Sequence, residues 1–293
     1  MLRPLIKLAR PHQWVKNGFI FLPLFFSGQL SNPINWLASI VIFCAFCFAS
    51  SSIYCFNDIF DTKADREHPK KKLRPIASGK IGTKTAYTFM LLLLSLSVAT
   101  ILVFAGEKRI PLLAIIGGYY LMNIAYCVKL KQIAIVDVSI IAIGFVLRVL
   151  SGGIATSITI SQWIVLMTFL LALFLAFAKR RDDVVIFQKT GITVRKNTVR
   201  YNLSFINQVL SIIATITIVS YIMYTVSEEV VTRLNNHYVY LTSIFVLTGI
   251  LRYLQIALVD EKSESPTKIL LTDRFIQLSI LCWIVSFFII IYT

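Results

Sequence analysis

Residues 54–82 read YCFNDIFDTKADREHPKKKLRPIASGKIG, and this segment differs from almost all of the remaining chain. Acidic and basic side chains are crowded here, directly behind a long apolar run. Asn57, Asp61 and Asp65 are spaced four residues apart, so on a continuing helix they share one face, with Asp58 beside them. A block of basic residues follows directly: His68, Lys70, Lys71, Lys72 and Arg74.

This pattern of charges predicts a metal-bridged phosphate site. Carboxylates on adjacent helical turns repel one another unless a cation lies between them. Mg²⁺ takes oxygen ligands and is commonly shared with substrate phosphates, and basic side chains bind phosphate through charge-assisted hydrogen bonds. The alternative is a solvated loop in which the carboxylates offset the lysines. The register of the acids and the turn-like run from Arg74 to Gly79 favour the site.

The composition is that of a polytopic helical membrane protein. Of 293 residues 57% are hydrophobic, and the mean hydropathy is +0.77. Apolar runs of about twenty residues are long enough to cross a bilayer as helices. We predict an all-α membrane bundle of about nine transmembrane helices, forming a single domain over residues 1–293. The spans are expected at 15–31, 34–56, 84–105, 110–128, 133–153, 162–179, 203–226, 237–258 and 272–292.

The positive charges are distributed unevenly between the loops. Lysines and arginines gather on the N-terminal side and in alternate loops, whereas the opposite loops hold only Lys108, Arg109 and Arg233. The positive-inside rule therefore places the N-terminus and the charged loops in the cytoplasm. Because the net charge of +15 follows this alternation, it indicates a membrane protein and not a nucleic-acid-binding one.

Two of the cytoplasmic segments contribute candidate lysines. Lys16 lies in the run RPHQWVKN at 10–17, which is either an interfacial anchor or a contact to a lipid phosphate. Lys129 and Lys131 follow the fourth expected span, where they are either ordinary positive-inside residues or phosphate ligands.

Asp137 and Arg148 lie within or near the fifth apolar run. A charged side chain at the bilayer centre costs about 2.5–3.5 kcal/mol on insertion scales. The two residues are close to three helical turns apart, so we expect them to share a face and to point into one polar cavity. A structural network and a substrate site explain them equally well. Glycines in the same run, Gly144, Gly152 and Gly153, permit close approach of a neighbouring helix.

The run Lys179-Arg180-Arg181-Asp182-Asp183 ends the sixth expected span abruptly. Adjacent aspartates cannot face the same direction on a helix, so at most one of them points at a shared metal. The basic cluster that continues to Arg200 is either a positive-inside loop or the second half of a phosphate site.

The charged segment resembles the first signature of the UbiA-type intramembrane prenyltransferases. More narrowly, it resembles the decaprenyl-phosphate phosphoribosyltransferase branch of that family. The matching pattern is NDxxDxxxD at 57–65, followed by HPxKxxRPIASG at 68–79. The run at 10–17 and the segment at 137–153 are similar to further signatures of the branch. Arg252-Tyr253 and Asp273-Arg274 resemble the C-terminal part of the branch's sequences.

The chain departs from the wider family at one place. UbiA-type enzymes generally carry a second aspartate-rich motif, whereas this chain has KRxxD at 179–183. That run is similar to the branch's Lys-Arg-Tyr-Ala-Glu, with Arg181 in place of the tyrosine and Asp183 in place of the glutamate. The departure favours the phosphoribosyl branch.

The resemblance implies transfer of 5-phosphoribose from phosphoribosyl pyrophosphate to a polyprenyl phosphate of the decaprenyl type. Pyrophosphate is released, and Mg²⁺ is the implied cofactor. The implied location is a bacterial inner membrane, with the active site facing the cytoplasm. The expected partners are the two substrates and membrane lipids, without nucleic acid, and an oligomer is left open.

The resemblance also assigns roles to residues. Asp58, Asp61 and Asp65 are the expected metal ligands, and Asn57 supports the metal or the ribose hydroxyls. These four are the candidate catalytic residues. The candidate substrate-binding residues are Lys16, Lys71, Arg74, Lys129, Lys131, Asp137, Arg148, Lys179, Arg180 and Asp183.

Three other functions compete with this interpretation. A UbiA-type prenyltransferase would use a prenyl pyrophosphate donor with an aromatic or other small acceptor. Such an enzyme normally has a second aspartate pair, which this chain supplies poorly. A transporter of anionic solutes would use Asp137 and Arg148 in its pathway. Transporters often contain internal repeats, but the 57–79 pattern occurs only once in the sequence. A non-catalytic scaffold does not require the carboxylates.

Overall fold

The computed structural model describes four ranges of the chain: 2–67, 71–191, 200–261 and 266–292. Three residues of the charged segment lie outside the described residues: His68, Pro69 and Lys70. Within the described ranges the regular secondary structure is helical, without a strand.

The α-helices follow one another with short connections. In chain order they are α1 (Leu2–Ala9), α2 (Leu22–Phe26), α3 (Pro33–Phe60), α4 (Thr62–Glu67), α5 (Thr83–Phe104), α6 (Arg109–Val128), α7 (Val136–Thr156), α8 (Gln162–Thr190), α9 (Leu203–Val226), α10 (Glu228–Leu234), α11 (Ser243–Leu258), α12 (Pro266–Thr272) and α13 (Arg274–Tyr292). Eight helical segments in the described ranges are long and apolar enough to cross a membrane: those of α3, α5, α6, α7, α8, α9, α11 and α13. The predicted all-α membrane fold is confirmed, with eight such segments where about nine were expected.

The first expected span, residues 15–31, is not one long helix. Arg10 has a left-handed backbone (φ 53°, ψ 57°) directly after α1, and a 3-10 helix, Pro11–Phe21, follows it. The short α2 then continues, with Pro23 near its start. Proline lacks a backbone N–H and favours the first turn of a helix, so these prolines begin new helical segments. Hydropathy detects the apolar composition of this stretch but not the positions at which one helical segment ends and the next begins.

One compact unit of the chain comprises Met1–Lys131 and Gly144–Ile160 and is called the first unit below. Its longest helix, α3, begins at an Asn32 cap, whose side chain accepts hydrogen bonds from two backbone N–H groups. Small residues let α5 approach α3, and the Ser97 hydroxyl donates to the Ala45 carbonyl at 2.8 Å. Near the other end of α3, Cys55 packs in an apolar cluster with Ile76 and Leu8. These contacts fix the end of α3 that carries the carboxylates.

Gly152 in α7 lies against the backbone of Ile20 in the same unit. A Cβ atom built at Gly152 would come within 2.0 Å of the Ile20 carbonyl oxygen. The close approach expected from the glycines of this run is therefore present at this position, and the contact partner is backbone, which cannot rotate away.

We expect Gly152→Ala to destabilise the protein by about 1–3 kcal/mol, since the added methyl group overpacks a backbone contact. The measurement is thermal unfolding of the purified protein in detergent, followed by circular dichroism. Gly117→Ala in α6 is the matched control, because a Cβ there meets nothing within 4 Å. Equal melting temperatures for the two variants would contradict the close contact.

The other compact unit, called the second unit, comprises Gln132–Ile143 and Ser161–Thr293. Its apolar core joins α8, α9 and α11 through buried residues such as Phe174, Leu210 and Ile256, and Val138 of α7 belongs to the same cluster. Helix α7 thus contributes its first part to this unit and its remainder to the first unit.

Candidate functional site

The candidate carboxylates lie where α3 ends. Asp61 occupies the C-cap of α3, with φ −87° and ψ 5°, and α4 begins at the next residue. The Asp61 N–H donates to the Asn57 carbonyl at 2.9 Å, and the Asp65 N–H donates to the Asp61 carbonyl at 2.8 Å. The helix that was expected to continue through these residues is interrupted at Asp61, although these two backbone hydrogen bonds keep the helical four-residue spacing.

Asp58 and Asp65 share one cation. Arg74 Nη1 lies 3.1 Å from Asp58 Oδ1 and 2.6 Å from Asp65 Oδ2. Arg10 Nη2 donates to the same Asp58 oxygen at 2.5 Å. The two carboxylates are only 2% and 3% exposed. Because a buried carboxylate is costly without a counter-charge, the two acids and two arginines form one electrostatic unit, called the four-residue cluster below.

Asp61 has a separate partner. Lys131 Nζ lies 2.6 Å from Asp61 Oδ1 and 2.8 Å from Oδ2, and 5.5 Å from the centre of the Phe60 ring. Beside this pair, the Cys127 thiol donates to Asn57 Oδ1 at 3.4 Å. The structure thus brings the end of α6 to the end of α3, joining residues that are 70 positions apart in the sequence.

The donor chemistry of the four-residue cluster fits Mg²⁺. A guanidinium nitrogen already lies between Asp58 and Asp65, so this position accepts positive charge. Mg²⁺ is usually bound by one or two carboxylates, with water and substrate phosphates completing its octahedron. Over the described ranges, no three His, Cys, Asp or Glu side chains are gathered as a metal site. Asp58 and Asp65 are therefore the two carboxylates that this geometry brings together, and the assignment of Asp61 as a third ligand stays a prediction.

Arg10 is a functional candidate that sequence analysis did not single out. Its left-handed backbone is uncommon for a residue other than glycine, and its guanidinium lies 5.0 Å from the centre of the Tyr54 ring. Both sides of Arg10 are fixed to α3, because the Ser51 hydroxyl donates to the Ala9 carbonyl and accepts from the Trp14 indole N–H. The partner carboxylate lies 48 residues further along the chain, so only the resemblance of the 10–17 run gave a signal.

Arg148 is buried in the first unit, and its hydrogen-bond acceptors there are uncharged. Its Nε donates to Asn17 Oδ1 at 2.7 Å, its Nη1 to the Gly144 carbonyl at 2.6 Å and its Nη2 to the Tyr119 hydroxyl at 2.8 Å. Three aromatic rings surround the guanidinium: Phe46, Tyr119 and Phe145. Cation–π contacts and hydrogen bonds together offset the loss of hydration. Within the described ranges no carboxylate forms an ion pair with Arg148.

In the second unit, Arg180 bridges two aspartates. Its Nε lies 2.7 Å from Asp137 Oδ2, and its Nη1 pairs with Asp183 Oδ2 one helical turn away. The Tyr201 hydroxyl donates to Asp137 Oδ1 at 3.1 Å and accepts from the Ile135 N–H at 2.6 Å. Burial raises the pKa of Tyr201 to about 12, so the phenol stays protonated as a donor at neutral pH.

The structure gives Asp137 and Arg148 separate polar partners. Asp137 pairs with Arg180, and Arg148 binds neutral oxygens of the first unit. A spacing of three turns reports only the direction of two side chains on their own helix. The side chains that satisfy each charge come from distant parts of the sequence, which helical spacing does not reveal.

The remaining predicted residues have less defined surroundings. Lys16 is half-buried in the 3-10 helix Pro11–Phe21, and Lys71 is half-buried in the short 3-10 helix Lys71–Leu73. Lys129 is exposed at the C-cap of α6. Lys179 is exposed within α8, which continues to Thr190, so the expectation that the sixth span ends at Lys179 is wrong. Arg181, where the family resemblance departs, is buried, and its Nε donates to Asn207 Oδ1 at 2.9 Å.

One cavity in the first unit does not lie at the carboxylates. It has a volume of about 420 Å³ and is lined mostly by apolar residues of α7 and the segment that follows it, with Lys108. It contains none of the predicted site residues. The candidate site is thus a charged cluster at the end of α3 and not this apolar cavity.

Comparison with known proteins identifies relatives along nearly the whole chain. A model of the UbiA prenyltransferase family matches residues 19–281. A decaprenyl-phosphate phosphoribosyltransferase from Corynebacterium glutamicum is 31% identical, covering 96% of this chain and 84% of the relative. A protein of the same name from Mycolicibacterium smegmatis is 34% identical, covering 96% of this chain and 90% of the relative.

Solved structures agree with the fold. A UbiA homolog from Archaeoglobus fulgidus bound to GPP and Mg²⁺ has a TM-score of 0.67 and 20% identity, covering 99% of this chain and 100% of that one. Another structure of that homolog has a TM-score of 0.70 at 19% identity, with the same coverage. The resemblance found in the charged motifs is confirmed over nearly the whole chain: this chain is a multi-pass membrane protein that belongs to the UbiA prenyltransferase family.

Proposed function

We propose that this protein transfers 5-phosphoribose from phosphoribosyl pyrophosphate to a polyprenyl phosphate of the decaprenyl type. The observation that carries the proposal is the similarity, over nearly the whole chain, to relatives named decaprenyl-phosphate phosphoribosyltransferase. In this reaction the bond between ribose C1 and the pyrophosphate oxygen breaks, and a bond between C1 and an oxygen of the lipid phosphate forms. Pyrophosphate leaves with the electron pair of the broken bond.

The four-residue cluster suits the leaving group. A departing pyrophosphate accumulates negative charge, and preorganised cations stabilise such charge in the transition state. Arg10 and Arg74 keep about a quarter of their side chains exposed, while the carboxylates beneath them are buried. The acids therefore hold the guanidinium groups in place, and the exposed edges of those groups are available to phosphate oxygens.

Asp58, Asp65 and Asp61 are the residues that would hold Mg²⁺, which when bound supplies charge neutralisation at the pyrophosphate. Lys131 and Lys71 are assigned to phosphate binding, with Asn57 next to the ribose hydroxyls or the metal. The acceptor phosphate is already ionised and needs no strong base, so positioning and charge stabilisation are the main contributions of the protein.

Other assignments follow from the family resemblance. Lys16 is assigned to the acceptor phosphate, and Lys129 and Arg148 to substrate binding in the first unit. In the second unit, Lys179 and Arg180 are assigned to phosphates and Asp137 and Asp183 to substrate binding, and both aspartates pair with Arg180. We also propose a single transferase domain over residues 1–293, in a bacterial inner membrane with its active site towards the cytoplasm, where the soluble anionic donor would be attracted by basic loops.

Arg10→Asn tests the role of the arginine that sequence analysis missed. Asparagine tolerates the left-handed backbone better than most residues, so this change removes the guanidinium and keeps the turn. We expect transfer to slow by about 10²-fold, as for the loss of one charged donor at a developing anion, with Arg10→Lys in between. The measurement is kcat and KM for phosphoribosyl pyrophosphate. An unchanged kcat and KM in Arg10→Asn would contradict this role.

The reaction class is tested with purified protein in nanodiscs and Mg²⁺. Ribose-labelled phosphoribosyl pyrophosphate is supplied with a polyprenyl phosphate, and label is counted in the organic phase. We expect metal-dependent labelling of the lipid. If no lipid is labelled, and the protein instead transfers a prenyl group from a prenyl pyrophosphate to an aromatic acceptor, the proposal is wrong and the alternative UbiA-type activity is correct.

A further inference from the structure

A small cavity in the first unit is lined by α1 and by the turn that carries Arg74. Its volume is about 140 Å³, and its lining residues are Arg3, Pro4, Lys7, Leu73, Pro75 and Lys80. Half of these residues are cations, and none is an acid. The cavity is therefore lined by three apolar residues and by three cations, which are called the rim below.

The three cations at the rim have no partners in the described part of the chain. Arg3, Lys7 and Lys80 are exposed, and no hydrogen bond or ion pair joins them to another described residue. Arg3 and Lys7 are four residues apart on α1, a spacing at which like charges destabilise a helix. An anion within the cavity would relieve this repulsion, and the lining itself supplies none.

Helix α1 holds this rim in a fixed place. Leu8 is fully buried in a cluster with Ile76 and Ile81 of the turn after Arg74, so the opposite side of α1 faces outwards. Exposed apolar side chains accompany the cations there: Ile6 is 51% exposed and Leu73 is 65% exposed. Cations mixed with exposed apolar side chains on a short helix are typical of a segment that lies in the headgroup region of a membrane.

We propose that Arg3, Lys7 and Lys80 bind the phosphate group of an anionic phospholipid. Ile6 and Leu73 would contact the glycerol and upper acyl region of the same lipid. Charge complementarity selects an anionic headgroup, because the lining contains three cations and no acid. The spans that follow α1 place the protein in a bilayer, which makes a phospholipid the available source of phosphate at this position.

The site borders the candidate active site through the chain itself. Leu73 and Pro75 flank Arg74, and Arg10 directly follows α1. A bound headgroup would therefore steady both segments that supply arginines to the four-residue cluster. This binding site does not depend on the proposed reaction, and it is tested by lipid binding without any turnover.

The experiment uses delipidated full-length protein in detergent, titrated with phosphatidylglycerol or with phosphatidylcholine of the same acyl chains. Bound lipid is counted by native mass spectrometry. We expect the wild type to prefer phosphatidylglycerol and Lys80→Gln to weaken that binding at least about fivefold, the effect of one cation near an anionic lipid surface. The triple variant Arg3→Gln/Lys7→Gln/Lys80→Gln should bind both lipids equally.

Lys84→Gln is the matched control, because Lys84 is an exposed lysine of α5 that does not line the cavity. It should leave the preference unchanged. The proposal is overturned if the triple variant keeps the preference or if Lys84→Gln weakens it as much as Lys80→Gln does. It is also overturned if inorganic phosphate displaces the lipid at equal concentration, which would indicate a site for a soluble anion. Because all the substituted side chains are exposed, we expect every variant to fold, and circular dichroism checks this.

Discussion

Asp58→Asn is expected to lower phosphoribosyl transfer by about 10³-fold or more, near the upper end of what loss of a single electrostatic group costs an enzyme. The carboxylate of Asp58 binds both Arg10 and Arg74, so its removal leaves two guanidinium groups without their common counter-charge. Asparagine has nearly the same shape, and the change therefore tests charge more than packing. The measurement is the initial rate of lipid labelling at saturating Mg²⁺.

Glu67→Gln is the control for Asp58→Asn, because Glu67 is an exposed carboxylate at the end of the neighbouring helix α4. It should retain the wild-type rate. Circular dichroism and gel filtration establish that both variants are folded. A rate for Asp58→Asn within a few-fold of the wild type would contradict the role of the four-residue cluster.

Arg180→Met is expected to cause the largest loss of stability, about 3–5 kcal/mol, as for removal of one partner from a buried ion pair. The side chain of Arg180 is 2% exposed, and it neutralises Asp137, which is fully buried, and Asp183. Methionine fills much of the same volume but leaves both aspartates without their cation. The measurement is thermal or denaturant unfolding in detergent, compared with the wild type.

Two further variants show whether charge is the cause. Lys189→Gln removes a cation from the same helix, but its pair with Glu261 is largely exposed, so a change within about 1 kcal/mol is expected. The double variant Arg180→Met/Asp137→Asn should be more stable than Arg180→Met, because it no longer buries the ionised Asp137. An unfolding midpoint of Arg180→Met equal to that of Lys189→Gln would contradict the buried bridge.

Sequence patterns predicted the membrane fold well because hydropathy reports a single physical property, the cost of exposing a segment to lipid. The spans of α3 to α13 follow from that property. The first expected span failed because its path is set by local backbone features. Arg10 adopts a left-handed conformation, and Pro11 and Pro23 each begin a separate helical segment. These features change the geometry of a segment without changing its hydropathy.

The acids and bases of the candidate site were visible in the sequence, whereas their pairing was not. Asp58, Asp61 and Asp65 were treated as one set because of their helical spacing. The structure separates them, since the helix breaks at Asp61 and that carboxylate binds Lys131. Arg74 takes the position between the other two. Helical spacing relates residues within one helix only. The partners of these carboxylates are Arg10, Arg74 and Lys131, which lie outside α3 and α4, so spacing could not reveal them.

For Arg10 and Arg180 as well, the sequence did not indicate which carboxylates the guanidinium groups bind. Arg10 belongs to a run that also fits an interfacial anchor, so its sequence context gave no reason to expect a buried carboxylate as its partner. Arg180 was predicted to bind phosphate, and the structure shows that it is buried and bound to Asp137 and Asp183. Asp183 is one helical turn away on the same helix, whereas Asp137 is brought to Arg180 by tertiary packing.

The central claim, transfer of a ribosyl group at the carboxylates where α3 ends, is tested most directly with doubly labelled phosphoribosyl pyrophosphate. One isotope marks the ribose and another marks the β-phosphorus of the pyrophosphate. With polyprenyl phosphate and Mg²⁺, the ribose label should enter the lipid, and the phosphorus label should be released from the donor into water as free pyrophosphate. Asp61→Ala should abolish both changes, and removal of Mg²⁺ by a chelator should do the same. Phosphorus label in the lipid, or unchanged ribosyl transfer by folded Asp61→Ala, would contradict the account.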